Sequence, residues 1–258
     1  MKINSEVKCG SVKVAKRVSA FLVGAALVLC LTTANRAAAQ ASAAPAPVNL
    51  GSAAEFAILA PAGFTNAGPS VVVGDVGTTG TSCTGFTKAP PCTFGPGQVA
   101  GEYHVNDPIA AKAEFDLLTA YNHTRGLAHG TGPFLLANSE DLGGKTLVSG
   151  LYTCHADLSI GAGETLRLIG NSHSIFIFQV GTLVAMKEHA KIVLVGGVTA
   201  ANVYWQVGTA FTMAASANAS GTIMASTGVT LAEFATLDGR ALTTGASVTL
   251  SANDVVMP

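Results

Sequence analysis

Among the side chains of this 258-residue protein that could carry chemistry, the threonines are the ones with a regular spacing. Three segments write the same strand again: Thr209-Ala-Phe-Thr212-Met-Ala214, Thr227-Gly-Val-Thr230-Leu-Ala232 and Ser247-Val-Thr249-Leu-Ser251. Side chains alternate faces along a strand, so Phe211, Met213, Val229, Leu231, Val248 and Leu250 point one way. Ala210, Thr212, Ala214, Gly228, Thr230, Ala232, Ser247, Thr249 and Ser251 point the other, with Thr209 and Thr227 opening their repeats. Threonine is stiff at χ1 and holds one methyl and one hydroxyl in a fixed place. A file of such groups can order water, since the methyls leave it few strong partners and the hydroxyls anchor it. A flat face of Thr, Ala, Gly and Ser without charge is unusual for a protein surface. It is the candidate functional surface.

The other chemistry-bearing residues have no such order. Acids are scattered among turns, and no repeated strand position collects them as acid–base or cation chemistry would require. His104, His123, His129, His155, His173 and His189 show no ligand spacing, and Gly161-Ala-Gly163 lacks the rest of a phosphate-cradling motif. The thiols lack a Cys-x-x-Cys pair, which argues against a metal site. No cofactor and no catalysis are expected. An extracellular sugar-binding module would favour exposed aromatics, but Trp205, the single Trp, lies in a run that reads as core.

These residues need elements to position them. Lys2, Lys8, Lys13, Lys16 and Arg17 precede an apolar run from Phe21 to Leu31, and small residues around 39–41 suit cleavage, so 1–39 reads as a secretory signal peptide. Thr32, Thr33, Asn35 and Arg36 end the run too early for a permanent membrane span. Residues 40–48 read as an Ala/Pro linker and 49–258 as one domain. The whole chain carries a formal charge of −1, but the expected mature part holds eight bases against fourteen acids, a net −6. That balance argues against nucleic acid or an anionic membrane as partner. The expectation is a secreted monomer. In an exported protein Cys83 and Cys92, closing a short loop around Pro90 and Pro91, suggest a disulfide, with Cys154 left buried and free.

Residues 54–60 and 71–76 read as strands, and Ala62-Gly-Phe64-Thr65-Asn-Ala67 has the form of the later repeat, adding Thr65 and Ala67 to the face. Residues 77–101 are rich in Gly, Thr and Pro without a period and read as a loop or cap. Asn106 or Asp107 can cap a helix over 107–125, whose Ile109, Ala113, Leu117 and Tyr121 fall four apart as an apolar stripe. From Leu142 onward three kinds of short strand recur with a period of about 25 residues, the mark of a three-faced solenoid. A β-sandwich is the alternative, but Asp238-Gly239 is the only clear hairpin signal and its flanks do not match. In this scheme the Thr182-Leu-Val-Ala-Met186 strand joins the same face, with Thr182 and Val184 outward together with Met186.

Six segments now carry a resemblance: Leu50-Gly-Ser-Ala-Ala-Glu-Phe-Ala-Ile-Leu59, Gly63-Phe-Thr-Asn-Ala-Gly68, Gly74-Asp-Val-Gly77, Asn202-Val-Tyr-Trp-Gln-Val207, Gly221-Thr-Ile-Met-Ala225 and Gly239-Arg-Ala-Leu242. In this order they resemble the microbial ice-binding proteins, over essentially all of 48–258. The resemblance implies a mainly β fold, a right-handed three-faced parallel β-solenoid with one long α-helix packed alongside. It implies a discontinuous stack in which the N-terminal segment forms the first coil, followed by a cap and the helix. It also implies that one flat face binds an ice crystal surface without catalysis. Some family members mark that face with Thr-(Ala/Gly)-x-(Thr/Asn), which Thr209–Thr212 and Thr227–Thr230 fit fully and Ala62–Thr65 fits except at its first residue. The last coil carries an extra residue near Gly245. Polysaccharide lyases also use parallel solenoids, but they need the clustered carboxylates that are missing here.

Overall fold

The computed structural model describes residues 45–87, 92–128 and 136–258. The signal peptide expected at 1–39, most of the linker, Pro90, Pro91 and His129 lie outside the described residues. Val48 and Leu50 are already buried against the helix.

All strand pairs are parallel, and successive strands turn between three faces. One face is a nine-stranded sheet running from Glu140–Asp141 through Leu158–Ile160, Val184–Met186, Ala210–Met213, Gly228–Leu231 and Val248–Leu250 to Phe64–Asn66, Cys83–Phe86 and Thr93–Phe94. The stack is discontinuous in sequence. Phe64–Asn66 lies between Val248–Leu250 and Cys83–Phe86, and Val71–Val73 lies between Asp254–Val256 and Gln98–Ala100. The first coil thus sits between the last coil and the cap.

The coil length is not constant at about 25. It is 26 residues where Leu151 pairs with Ile177, 27 where Phe178 pairs with Trp205, and 18 where Ala219 pairs with Leu237. Longer coils spend residues on a corner such as 196–202. In the shorter ones the Asn218–Ala225 and Thr236–Thr243 strands run straight across two faces, bending at Gly221 and Gly239. A Cβ at Gly239 would lie 1.9 Å from the Gly221 carbonyl oxygen, so only glycine lets these coils approach. Asp238-Gly239 is therefore a corner and not a hairpin. The pairing of Ala225 with Thr243 but Val229 with Val248 locates one extra residue in the turn around Gly245.

Aromatic rings fill the interior. Tyr152, Phe178 and Trp205 stack on successive coils, the last two with centroids 4.0 Å apart, and Trp205 Nε1–H donates to the Ser220 carbonyl. Trp205 is 1 % exposed, so it offers no platform for a sugar.

The helix, Pro108–Arg125, covers a second face. Asp107 caps it, accepting from the Ala110 N–H at 2.7 Å. The buried stripe is Ala110, Ala113, Leu117, Ala120, Tyr121 and Thr124, while Ile109 is 53 % exposed. Positions four apart advance about 40° past a full turn each time, so four of them cannot share one narrow seam. Glu114 accepts from the Thr79 N–H and hydroxyl, and Asp116 from the Ser52 N–H and hydroxyl and from Lys112. These acids fasten the helix to chain on either side of the first coil. Lys112, with Ser52, holds the Asp116 carboxyl well below the ordinary carboxylate range.

At the join between the two ends of the chain the interior is polar. The Asn253 N–H donates to Ser70 Oγ, which donates to Asn66 Oδ1, and Asn66 Nδ2 donates to the carbonyls of Gly68 and Gly85. Asn253 Nδ2 reaches back to the carbonyls of Ala232 and Ala235. The three side chains are buried and span the last coil, the first coil and the cap.

Two predictions follow from these contacts. Asn253→Ala removes the buried donor to the Ala235 carbonyl, a second donor to the Ala232 carbonyl and the acceptor of the Ser251 N–H. It costs about 2 kcal/mol in urea unfolding, far more than an exposed substitution. The Asp107 carboxyl is raised by burial but lowered further by Ala110 N–H and the His104 ring, so its folded pKa lies below its ordinary value. Its stabilisation is present at neutral pH and lost as pH falls through the folded pKa. Asp107→Ala therefore costs about 1 kcal/mol at neutral pH, and that difference from wild type shrinks when unfolding is measured below about pH 4.

Candidate functional site

The nine-stranded face brings one residue per coil into a single file. The register pairs Thr212 with Thr230, Thr230 with Thr249, Thr249 with Thr65, Thr65 with Thr84, and Thr84 with Thr93. In the other direction Thr212 is followed by Ala185, Ser159 and Asp141. Parallel strands stand about 4.8 Å apart, so the six threonines span about 24 Å.

Beneath the file the side chains turn inward. Phe64, Val184, Met186, Phe211, Met213, Val229, Leu231, Val248 and Leu250 are each at most 1 % exposed and join one core. This apolar floor keeps the strands level. Above it Thr230, Thr249 and Thr93 are exposed, and Thr65, Thr84 and Thr212 are half-buried. Thr212 Oγ1 makes only a long hydrogen bond of 3.4 Å to the Val184 carbonyl. The hydroxyls of Thr65, Thr84, Thr93, Thr230 and Thr249 bond to no other described residue and are left for solvent.

The flanking positions are small. Ala210 pairs with Gly228, and Ser247 follows on the next coil, to one side of the file. Ala214, Ala232, Ser251 and Ala67 lie on the other side, half-buried or exposed. Thr182, Thr209 and Thr227 form a second short file at the corner, where the Thr209 N–H donates to Thr182 and the Thr227 N–H to Thr209. The Thr182 hydroxyl is engaged by the Asp157 carboxylate, leaving Thr209 and Thr227 as the exposed members.

Val184 does not belong to the face. It is 1 % exposed, pairs with inward Phe211, and leaves Ala185 in the file beside Thr212. Met186 is buried in the same way. A strand read one residue out of phase exchanges its two faces completely. The threonine that opens each repeat sits in the corner, ahead of the strand, so alternation must be counted from the residues after it. Counted so, Thr182-Leu-Val-Ala185 is the same repeat as Thr209-Ala-Phe-Thr212, with alanine in the final place.

Thr84 and Thr93 are the members of the file that sequence reasoning passed over. Residues 77–101 contain the Cys83–Phe86, Thr93–Phe94 and Gln98–Ala100 strands, which continue the sheets as a further partial coil. The signal lay in a repeated Cys-Thr pair, Cys83-Thr84 and Cys92-Thr93. Cys83 and Cys92 are joined as a disulfide, and Cys154 is free and buried.

Among the described residues, charge reaches the file itself at one end, while exposed Glu233 follows Ala232 at the corner of a central coil. Lys187 follows the Val184–Met186 strand, Asp157 precedes Leu158–Ile160, and Asp141 ends the file. No helix among the described residues is long and apolar enough to cross a membrane.

Comparison with known proteins identifies this arrangement. The ice-binding protein of Nostoc sp. (strain HG1) is 33 % identical over 232 residues, covering 89 % of this chain and 81 % of the relative. That of Flavobacterium frigoris (strain PS1) is also 33 % identical, covering 82 % and 76 %. Among solved structures, an ice-binding protein from the Antarctic ascomycete Antarctomyces psychrotrophicus superimposes with a TM-score of 0.73 at 32 % identity, covering 82 % of this chain and 98 % of that one. A second, from an Antarctic biological consortium, gives 0.74 at 31 % identity, covering 84 % and 94 %. The family model described as ice-binding-like matches residues 58–256, and this chain belongs to that family.

Proposed function

We propose that this protein is exported and, as a monomer, adsorbs to ice through the face centred on Thr65, Thr212, Thr230 and Thr249, giving thermal hysteresis and restraining recrystallisation. The observation that carries the reading is the unbroken register of those threonines over an apolar floor, with the hydroxyls of Thr65, Thr230 and Thr249 left to solvent and that of Thr212 held only by one long bond. Stiff χ1 torsions mean that little side-chain entropy is lost when the face docks. Water held by the hydroxyls and confined by the methyls can take up lattice positions and merge with the crystal. Fixed charges would orient water around themselves instead. Each contact is weak, so flatness and area set the affinity.

The direct test is Thr230→Tyr, which raises a ring in the middle of the file. It is expected to reduce thermal hysteresis about fivefold or more, as loss of a central contact does at other interfaces, with an unchanged circular dichroism spectrum and melting temperature. Thr146→Tyr, at an exposed position on another face, is the control and retains activity. Full hysteresis in folded Thr230→Tyr would place the ice-adsorbing surface elsewhere.

A paired substitution separates the two sides of one strand. Val184→Thr buries a hydroxyl in the core and costs about 1–3 kcal/mol. Ala185→Thr adds a seventh threonine to the file, leaves the melting temperature within about 1–2 °C, and keeps or raises hysteresis. Melting curves and nanolitre osmometry on both variants check the assignment.

A further inference from the structure

The cap deepens this reading, and the inference rests on it. We propose that the Cys83–Phe86 and Thr93–Phe94 strands are part of the ice-adsorbing surface, and that the Cys83–Cys92 disulfide positions their threonines.

Each half-cystine stands immediately before one of the two threonines. Alternation along the strand therefore sends the sulfurs inward and the hydroxyls outward. Cys83 and Cys92 are 2 % and 4 % exposed, whereas Thr84 is half-buried and Thr93 exposed. The cysteine Cα atoms are 4.6 Å apart, close to the spacing of neighbouring strands, so the cross-link fixes the separation that the file needs. Thr84 continues from Thr65 and Thr93 from Thr84 in the same register.

The outermost strand needs such a clamp. Thr93–Phe94 is two residues long, both residues are exposed, and it pairs with the sheet on one side only. Short edge strands open easily. The bridge closes a loop of sequence separation nine, and both half-cystines sit at the cap end of the same hydrophobic core that runs through the coils below. So short a closed loop constrains the two threonines that follow its cysteines more than it constrains the distant coils. Small neighbours support the same use, since Gly85 follows Thr84 and Ser82 precedes the strand.

The test compares Thr84→Tyr, Thr93→Tyr, the Cys83→Ser/Cys92→Ser pair and Thr230→Tyr in the full mature chain. Thermal hysteresis and partitioning into a growing ice hemisphere are read at equal concentration, with circular dichroism as the check of folding. Each cap tyrosine is expected to lower hysteresis about twofold or more, less than the central Thr230→Tyr. Removing the disulfide is expected to lower it by a similar factor in the wild-type background. It should add nothing where Thr84 and Thr93 are already tyrosine, because the two changes remove one effect. Full activity in both cap variants, with activity lost in Thr230→Tyr, would overturn the inference and leave the central face standing. Activity retained in Thr230→Tyr as well would overturn the face itself. An equal further loss in both backgrounds on removing the disulfide would overturn the positioning role. If the serine pair does not fold, the two tyrosine variants with the bridge intact still decide whether the cap touches ice.

Discussion

In a parallel ladder every backbone N–H and C=O is satisfied by the coil on either side, so hydrogen-bond length, and not side-chain size, sets the distance between coils. That constraint turns a sequence repeat into a surface with a fixed repeat distance. It also makes sequence order unimportant to the surface, because any strand that completes the ladder takes the same spacing. Thr65 and Thr249 are neighbours although the whole cap, helix and later coils lie between them in the chain. The hydrogen-bonded series Asn66–Ser70–Asn253 occupies the point where this long-range join must be specified. Apolar packing tolerates a shift of register; a set of buried amides with few acceptable partners does not. The polar interior at the join is in this sense a condition for the outer file.

The three faces share the same ladder and differ in what is laid over it. One is covered by the helix, through Leu117, Tyr121 and their partners Leu59, Met224 and Leu242. Another pairs Thr165, Lys191, Asn218, Thr236, Asp254, Val71 and Gln98 along one file, mixing both signs of charge with an exposed valine. That file has the regular spacing but no uniform chemistry. Only the face carrying Thr230 combines spacing, a sealed floor and uncharged residues over several coils. Spacing is thus supplied by the fold, while selection of a face is left to side chains.

Legibility in the sequence follows the same division. The repeats at 209–214, 227–232 and 247–251 could be read because their inner residues are large and their outer ones small, so the two phases look different. The helix was legible through Asp107 and the recurrence of Ala113, Leu117 and Tyr121. The strand at 182–186 was not, because Leu183, Val184 and Met186 are all large and either phase looks acceptable; the pairing of Val184 with Phe211 decides it. Ile109 matched the four-residue spacing and fell outside the seam through the pitch of the helix. The change from 27-residue to 18-residue coils depends on whether a corner contains a loop or one glycine, and Gly221 alone does not announce that. Thr84 and Thr93 were hidden because strands of four and two residues are too short to show a period. Their placement comes from partners far away in sequence.

The file has nine strands but six threonines, and the position of the charges explains the difference. At the Asp141 end, Asp157 binds the Thr182 hydroxyl and the Leu183 N–H, and Lys187 stands beside Ala185. The strands there keep the same parallel register as the others, so the fold would permit a longer template. A carboxylate or ammonium, however, holds its own shell of water with a geometry set by the charge, and that shell competes with a lattice. If adsorption is the sum of many weak contacts, one charge removes more than its own area from the template. The boundary of the surface is then electrostatic at one end and structural at the other, where the stack runs out of strands. Extending the template at the charged end would require replacing several residues at once, some of which hold the coils together, as Asp157 does. At the cap end one short cross-linked strand suffices.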